Sequence, residues 1–458
     1  MRETRQLAEF AAGLRLERCP PLVVVQAKRC ILETLGCALA GSKTPLARAA
    51  VQSAKRQGEG GCATVIGMRF HAAPDRAAFI NGISANALDF DGGIVRQGHY
   101  GPTVVSSALA AGELVGVNGR LLLESVIAGY EVVSRVGLAI RATPQQSRLV
   151  SGYGPHQGFG AAAAAGRILG LSIEQMVQAF GIYGAFAPVP STKQWNWDHR
   201  PLSWTKDMVA WPSMAGINAV LLTESGFSGP RAIFEGEKGF FRMAGSDRYA
   251  PEALTARLGE QFQILHVYFK PYPCCRWSHA ALDGVGEILD RRGWNEAEVN
   301  RVVVGVAREV VEDLNDYSPH NLVDAQFSLP YAVALRLLGV IPGPRWHDPE
   351  HLTSPRVRDA MGKVTLEVDQ EMEHLFAEQH IVGALVRIEG VDRSVETAQV
   401  KFARGSEERP MSDAQLEAKF RMLAAEAISD ASAESAIRML RSLEDIESVA
   451  ELIALLAG

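Results

Sequence analysis

Residues 22–41, LVVVQAKRCILETLGCALAG, set the architecture. Val24, Ala27, Ile31 and Leu35 recur at spacings of three and four, so they share one face of a helix, and Gly41 stands where a helix C-cap would. The same periodicity extends outward from Pro21 to about Gly226, through LLLESVIAGYEVVSRVGLAI (121–140) and SMAGINAVLLTESGFSGP (213–230). Ser172-Ile-Glu-Gln175 has the form of a capping box ahead of a further apolar helix. This half reads as a bundle of packed helices.

The pattern changes after the turn-rich segment EGEKGFFRMAGSDRYAPEA (235–253). RVVVGVAREVV (301–311), KVTLEVDQ (363–370) and ALVRIEG (384–390) are short, rich in Val and Ile and partly alternating, which predicts strands. SHAALDGVGEILDRRG (278–293) and DAQFSLPYAVALRLLGV (324–340) read as helices, and the tail beyond Ser412 returns to a helical pattern. The expectation is a mainly α protein: a discontinuous all-helical domain from 1–258 and 402–458, and a smaller α+β domain from 259–401.

The 458 residues, 47% of them hydrophobic, suffice for more than one buried core. A net charge of −6 without a long Lys/Arg run offers nucleic acid or an anionic membrane no broad surface, so neither is an expected partner. Charges interrupt every apolar run near the N-terminus and no stretch of about 18 unbroken apolar residues follows, so neither a secretory signal nor a membrane span is expected. The six cysteines are sparse and lack C-x-x-C spacing, which suits a reduced, cytoplasmic protein.

Candidate chemistry concentrates in a few segments. ANALDFDGGIVRQGHYGP (85–102) places Asp89, Asp91 and His99 in one loop. Three readings stand: oxygen and imidazole ligands for a metal, a helix cap with a turn histidine, or a carboxylate that orients an imidazole for proton transfer. SGYGPHQGFGAAAAAGRILGLS (151–172) carries four glycines into an alanine-rich helix, with His156 as a second titrating group or a turn histidine. The β–α alternation of a dinucleotide fold is missing around it.

Lys206, in SWTKDMVAWPSMAG, and Lys270, in LHVYFKPYPCCRWSHAALD, sit in apolar or aromatic company. Such a lysine serves as a base, clamps a carboxylate or snorkels to the surface, and Arg276 offers a bidentate carboxylate contact. Adjacent Cys274 and Cys275 read as pocket wall rather than nucleophile or disulfide. Tyr331 in FSLPY lies near an element end, where its hydroxyl donates a proton or simply packs.

Taken in order, NALDFDG…GHYGP, GYGPHQGFGAAAAAGRILGL, TKDMVAWPSMAGINAVLLTESGFSGPRAIFEGEKGF, FKPYPCCRWSHAALD and DAQFSLPYAVALRLL resemble the MmgE/PrpD family, from about residue 5 to 425. The resemblance implies a large helical domain with a smaller inserted α+β domain and a homodimer. It also implies an active site in the interdomain cleft that handles di- and tricarboxylates without metal or organic cofactor. Carried over by position, Asp89, His99, Lys206, Lys270 and Tyr331 are the expected catalytic residues, with His156 beside them, and Arg276, Tyr153 and Cys275 join the two lysines in substrate binding. His99 would move a proton to or from carbon while Asp89 orients it.

Two departures bear on the reaction. The first family motif commonly reads D-F-D-D-T, whereas Gly92 and Gly93 follow Asp91 here, and Gly154 stands where a family histidine is expected. The implied activity is a lyase of the hydratase/dehydratase type on a polycarboxylate. A dicarboxylate epimerase is the alternative, followed by a decarboxylase of the cis-aconitate type and a carboxylate-binding protein without turnover.

Overall fold

The computed structural model describes residues 2–58, 60–151, 154–193, 197–205 and 209–458. Residues 21–41 form one helix, Pro21–Gly41, with proline at its first position, where a missing N–H costs nothing. Every residue from Cys30 to Gly41 is buried, so this half of the helix is enclosed on all sides, whereas Pro21, Leu22 and Val25 at its start are exposed. Gly41 is its last helical residue and not a left-handed cap. A Cβ there would lie 1.8 Å from the Ser84 carbonyl oxygen, so glycine is needed for the close approach to the helix Pro74–Asn86.

The remaining helices stack around this centre. Gln157–Ile168 packs against Tyr100–Val115, Gly119–Ala139 and Ala210–Glu224. Ala161–Ala165 are wholly buried, and small residues let the backbones approach closely. Ile173–Ala185 begins with the capping box expected at Ser172 and Gln175. The C-terminal helix Asp413–Ala424 lies against Pro21–Gly41, and Leu416 to Leu456 share one apolar core with Leu7 to Phe269.

A second core runs from Tyr272 to Ala403, with Leu202 joining it. Its sheet has the order Val364–Val368, Val299–Val306, Ala384–Gly390, Val395–Val400. The first pair is parallel, in the register Val302↔Val364, and the others are antiparallel, with Val304↔Val386 and Val386↔Ala398. The parallel pair needs a long crossover, and helices including Leu329–Leu337 and Pro355–Gly362 occupy it. His279–Arg292 covers the antiparallel strands. The fold is therefore mainly helical with a small α+β part, as the sequence implies.

One local expectation is revised, and one strand is unexpected. Arg308–Leu314, the end of the stretch expected as one strand, turns into a helix that abuts the parallel edge. Val395–Val400 is an edge strand with mostly solvent-facing side chains, so it lacks the apolar alternation that marks a strand in sequence. No helix among the described residues is long and apolar enough to cross a membrane.

Candidate active site

The segment Val267–Arg276 crosses the seam between the cores: Phe269 packs in the first, Tyr272 in the second, and Lys270 falls between them. Opposite it runs the loop that leaves the helix Pro74–Asn86. Gly93 and Tyr268 exchange backbone hydrogen bonds of 3.2 and 2.9 Å, tying loop to segment. This contact accounts for the glycine pair. A Cβ on Gly92 would lie 2.4 Å from the Tyr268 carbonyl oxygen, and one on Gly93 would lie 2.6 Å from the Gly98 carbonyl oxygen and 2.9 Å from the Tyr268 hydroxyl. No acid or threonine fits there without moving backbone.

The two aspartates take different partners. Lys270 Nζ lies 2.8 Å from Asp89 Oδ2 and donates to the Asp89 carbonyl oxygen, also at 2.8 Å; both side chains are buried. Burial works to lower the lysine pKa, but the Asp89 and Asp91 carboxylates outweigh it and hold it above that of an ordinary lysine. Lys270 is thus a fixed cation, not a neutral base. His99 Nδ1 lies 2.9 Å from Asp91 Oδ2, and Asn86 Nδ2 donates to Asp91 Oδ1 at 3.0 Å. The expectation that Asp89 orients His99 is therefore corrected: Asp91 does, and Asp89 answers Lys270.

Asp89, Asp91 and His99 present ligand atoms within 4.8 Å of one another, the convergence a metal site would need. The Lys270 ammonium already lies against Asp89, however, and a divalent cation added to this cluster would face it at close range. The donor set suits an ammonium better than a second cation.

The loop is also gripped from behind. Lys419 Nζ donates to Glu33 Oε1 and to the Phe90 carbonyl oxygen, both at 2.6 Å, and sits 4.2 Å from the centre of the Phe90 ring. Glu33 Oε2 accepts the Gly92 N–H at 3.1 Å, and Gln326 Nε2 donates to the Ala87 carbonyl oxygen at 2.8 Å. Backbone groups on both sides of Asp91 are thereby fixed. Asp89 itself has a left-handed backbone, φ 48°, held by this web.

A cavity of about 80 Å³ lies at the seam, lined by Asp89, His99, Tyr268, Lys270, Cys275 and Arg276, with Trp197 and Trp277 among its other walls. Arg276 lies over the Tyr268 ring at 4.9 Å and donates through Nη1 to the Arg404 carbonyl oxygen at 2.7 Å. His279 supports it. Its Nε2–H donates to the Cys274 carbonyl oxygen at 3.2 Å, which leaves Nδ1 to accept from Arg276 Nη1, also at 3.2 Å. Burial, and then the neighbouring Arg276 and Lys270 charges, push the His279 pKa well below the usual histidine value, so it stays neutral in this role. Burial pushes the Cys274 thiol well up, as befits wall rather than nucleophile.

The other expected residues separate from this group. Tyr331 is buried in the second core and donates its hydroxyl to the Trp346 carbonyl oxygen at 2.8 Å, so in this arrangement its proton is committed to the protein. His156 lines a neighbouring, larger chamber, where its Nε2 lies 3.0 Å from the Tyr100 hydroxyl. Lys206 and Tyr153 lie outside the described residues.

Family models decide the kinship. The MmgE/PrpD N-terminal domain matches residues 5–252, and the MmgE/PrpD C-terminal domain matches residues 272–445. The chain belongs to the MmgE/PrpD family. Among its relatives, the cis-aconitate decarboxylase of Homo sapiens is 26% identical, spanning 99% of this chain and 94% of the human protein. A cis-aconitate decarboxylase of Aspergillus terreus is also 26% identical, over 99% of this chain and 95% of its own length, and that of Mus musculus is 25% identical, over 99% and 93%.

Proposed function

We propose that the protein is a lyase that acts on a small di- or tricarboxylate by proton transfer at a carbon beside a carboxylate, with no metal or organic cofactor. The observation that carries this reading is one cavity in which an Asp91-held imidazole meets two fixed cations, Lys270 and Arg276. Arg276, whose partners His279 and the Arg404 and Ala403 carbonyl oxygens are neutral, binds a carboxylate and stabilises negative charge as it develops on the substrate. Lys270, already paired with Asp89, contributes the smaller share. His99, with Nδ1 turned to Asp91, works through Nε2 as the general acid or base.

Dehydration and decarboxylation diverge after this shared start. Dehydration needs His99 to take a proton from carbon and a second group to protonate the leaving hydroxyl. Decarboxylation needs a single proton. The electron pair of the broken C–C bond moves to the carbon beside a retained carboxylate, that carbon takes the His99 proton, and CO2 leaves. The second reaction is favoured over the hydratase/dehydratase expectation for two reasons. Tyr331 is committed to Trp346, and the named full-length relatives are cis-aconitate decarboxylases. A homodimer in the cytoplasm, as the family resemblance and the sparse cysteines suggest, completes the reading.

Incubation with cis-aconitate and a panel of hydroxy- and unsaturated polycarboxylates in deuterated water, followed by NMR, tests it. CO2 release with one deuterium fixed at carbon supports decarboxylation, and loss of water with a new alkene supports a hydro-lyase. Deuterium exchange with neither loss supports an epimerase. No turnover with any compound would sink the lyase reading.

A further inference from the structure

The catalytic cavity adjoins a chamber of about 250 Å³, and the two share Arg96, Trp197 and Trp277 as walls. Four cationic side chains, Arg96, Arg141, Lys193 and Arg248, line this chamber against two carboxylates, Glu309 and Asp313. Both carboxylates are taken up by Lys193, whose Nζ lies 2.8 Å from Asp313 and 3.5 Å from Glu309. Among the described residues Arg96 and Arg248 take no carboxylate, so their positive charge is left over.

Arg96 is the residue placed to use it. It stands in a tight hairpin closed by Ile94 N–H donating to the Gly98 carbonyl oxygen at 3.0 Å, and its φ of 58° is left-handed, an uncommon state for a bulky residue. Its guanidinium reaches the other half of the molecule, 5.3 Å from the centre of the Phe376 ring, with Nη1 at 2.6 Å from His380 Nδ1. Burial and the Arg96 charge lower the His380 pKa, so the imidazole is a neutral acceptor. A neutral acceptor aims the guanidinium without cancelling its charge, which a carboxylate would do. Among the described residues Arg96 forms no ion pair. Ile140, Trp197, Trp277 and Phe376 give the same space apolar walls.

We propose that this chamber is a subsite for a distal carboxylate, anchored by Arg96, so that the substrate is a polycarboxylate whose reacting end and far end are separated by an apolar spacer. The inference rests on the proposed function only for which end reacts. Guanidinium–carboxylate pairing in a partly closed, aromatic-walled space gives both affinity and length selection.

Isothermal titration of the intact protein with succinate, adipate, suberate and octanoate tests this without turnover. Suberate is expected to bind at least tenfold more tightly than succinate, with octanoate gaining nothing from equal length. Arg96→Gly accepts the left-handed backbone while removing the guanidinium. It should abolish the suberate advantage, with suberate losing at least tenfold more affinity than succinate, and Arg96→Lys should recover part of the advantage. Equal affinities for succinate and suberate, no binding of any dicarboxylate, or a uniform loss in Arg96→Gly would overturn the proposal. A length preference without CO2 release would leave this subsite standing while the lyase reading fell, and CO2 release without a length preference would do the reverse.

Discussion

Replacing Lys419 by methionine removes the rear grip on the catalytic loop while keeping a long side chain in place. Lys419 and Glu33 are both buried, with side chains 5% and 3% exposed. The substitution leaves the Glu33 carboxylate unpaired and the Phe90 carbonyl oxygen without its donor. Breaking one partner of a buried ion pair costs about 3–5 kcal/mol. The orphaned carbonyl belongs to the same network, so its cost of about 1–3 kcal/mol overlaps with that figure rather than adding to it. A loss near 4 kcal/mol is expected in urea unfolding, read from the midpoint at constant slope. Because Phe90 and Gly92 flank Asp91, turnover should fall through kcat with KM little changed. The double variant Glu33→Gln/Lys419→Met removes the uncompensated charge and should regain stability, yet remain slow because the Gly92 and Phe90 contacts are weakened. A single variant within 1 kcal/mol of the parent, or a double variant with parental kcat, would refute the reasoning.

Acid should destabilise the fold through buried histidines. Burial pushes the His347 pKa down to about 4 from 6.5, and His279 is lowered in the same direction. The unfolded chain therefore binds protons that the native state refuses. Stability is fully present above about pH 6.5 and falls toward pH 4, by up to about 1.4 kcal/mol per pH unit for each histidine, measured as denaturation midpoints across that range. His347→Gln should flatten the slope. Gly93→Thr, which restores a common family residue, should disrupt the loop and lower activity, because its Cβ would meet the Gly98 carbonyl oxygen and the Tyr268 hydroxyl; kinetics and thermal melting together check this. Tyr331→Phe should cost about 1 kcal/mol of stability for the lost Trp346 bond while kcat stays within threefold. A loss of kcat beyond a hundredfold would return the tyrosine to the reaction.

The helical half was legible because periodicity is a local signal, and the small sheet because Val-rich stretches such as 301–306 announce strands. What escaped was set by distant partners. Asp89 and Asp91 are two residues apart and chemically alike, and only the arrival of Lys270, 181 residues away, decides which one answers the lysine and which the histidine. Asp91 could be weighed from sequence as a metal ligand or as a carboxylate beside the imidazole, but nothing local chose it over Asp89 as the group that orients His99. Glu33 and Lys419 carry no motif at all, since one lies in an apolar helix and the other in an ordinary amphipathic tail. A lone charged residue inside an otherwise apolar helix face, as Glu33 is, was the one available hint. Gly92 and Gly93 read as losses of an acid and a hydroxyl, whereas the Tyr268 backbone that requires them comes from the far side of the cleft.

The central claim is that Asp91, through His99, carries the proton while Asp89 holds the cation. Steady-state kinetics of Asp91→Asn on the substrate that releases CO2 tests it most directly. The asparagine keeps the shape but can no longer hold the imidazole in its working tautomer, and kcat should drop by about 10²–10⁴ at nearly unchanged KM. An Asp91→Asn variant with kcat within threefold of the parent would contradict the account.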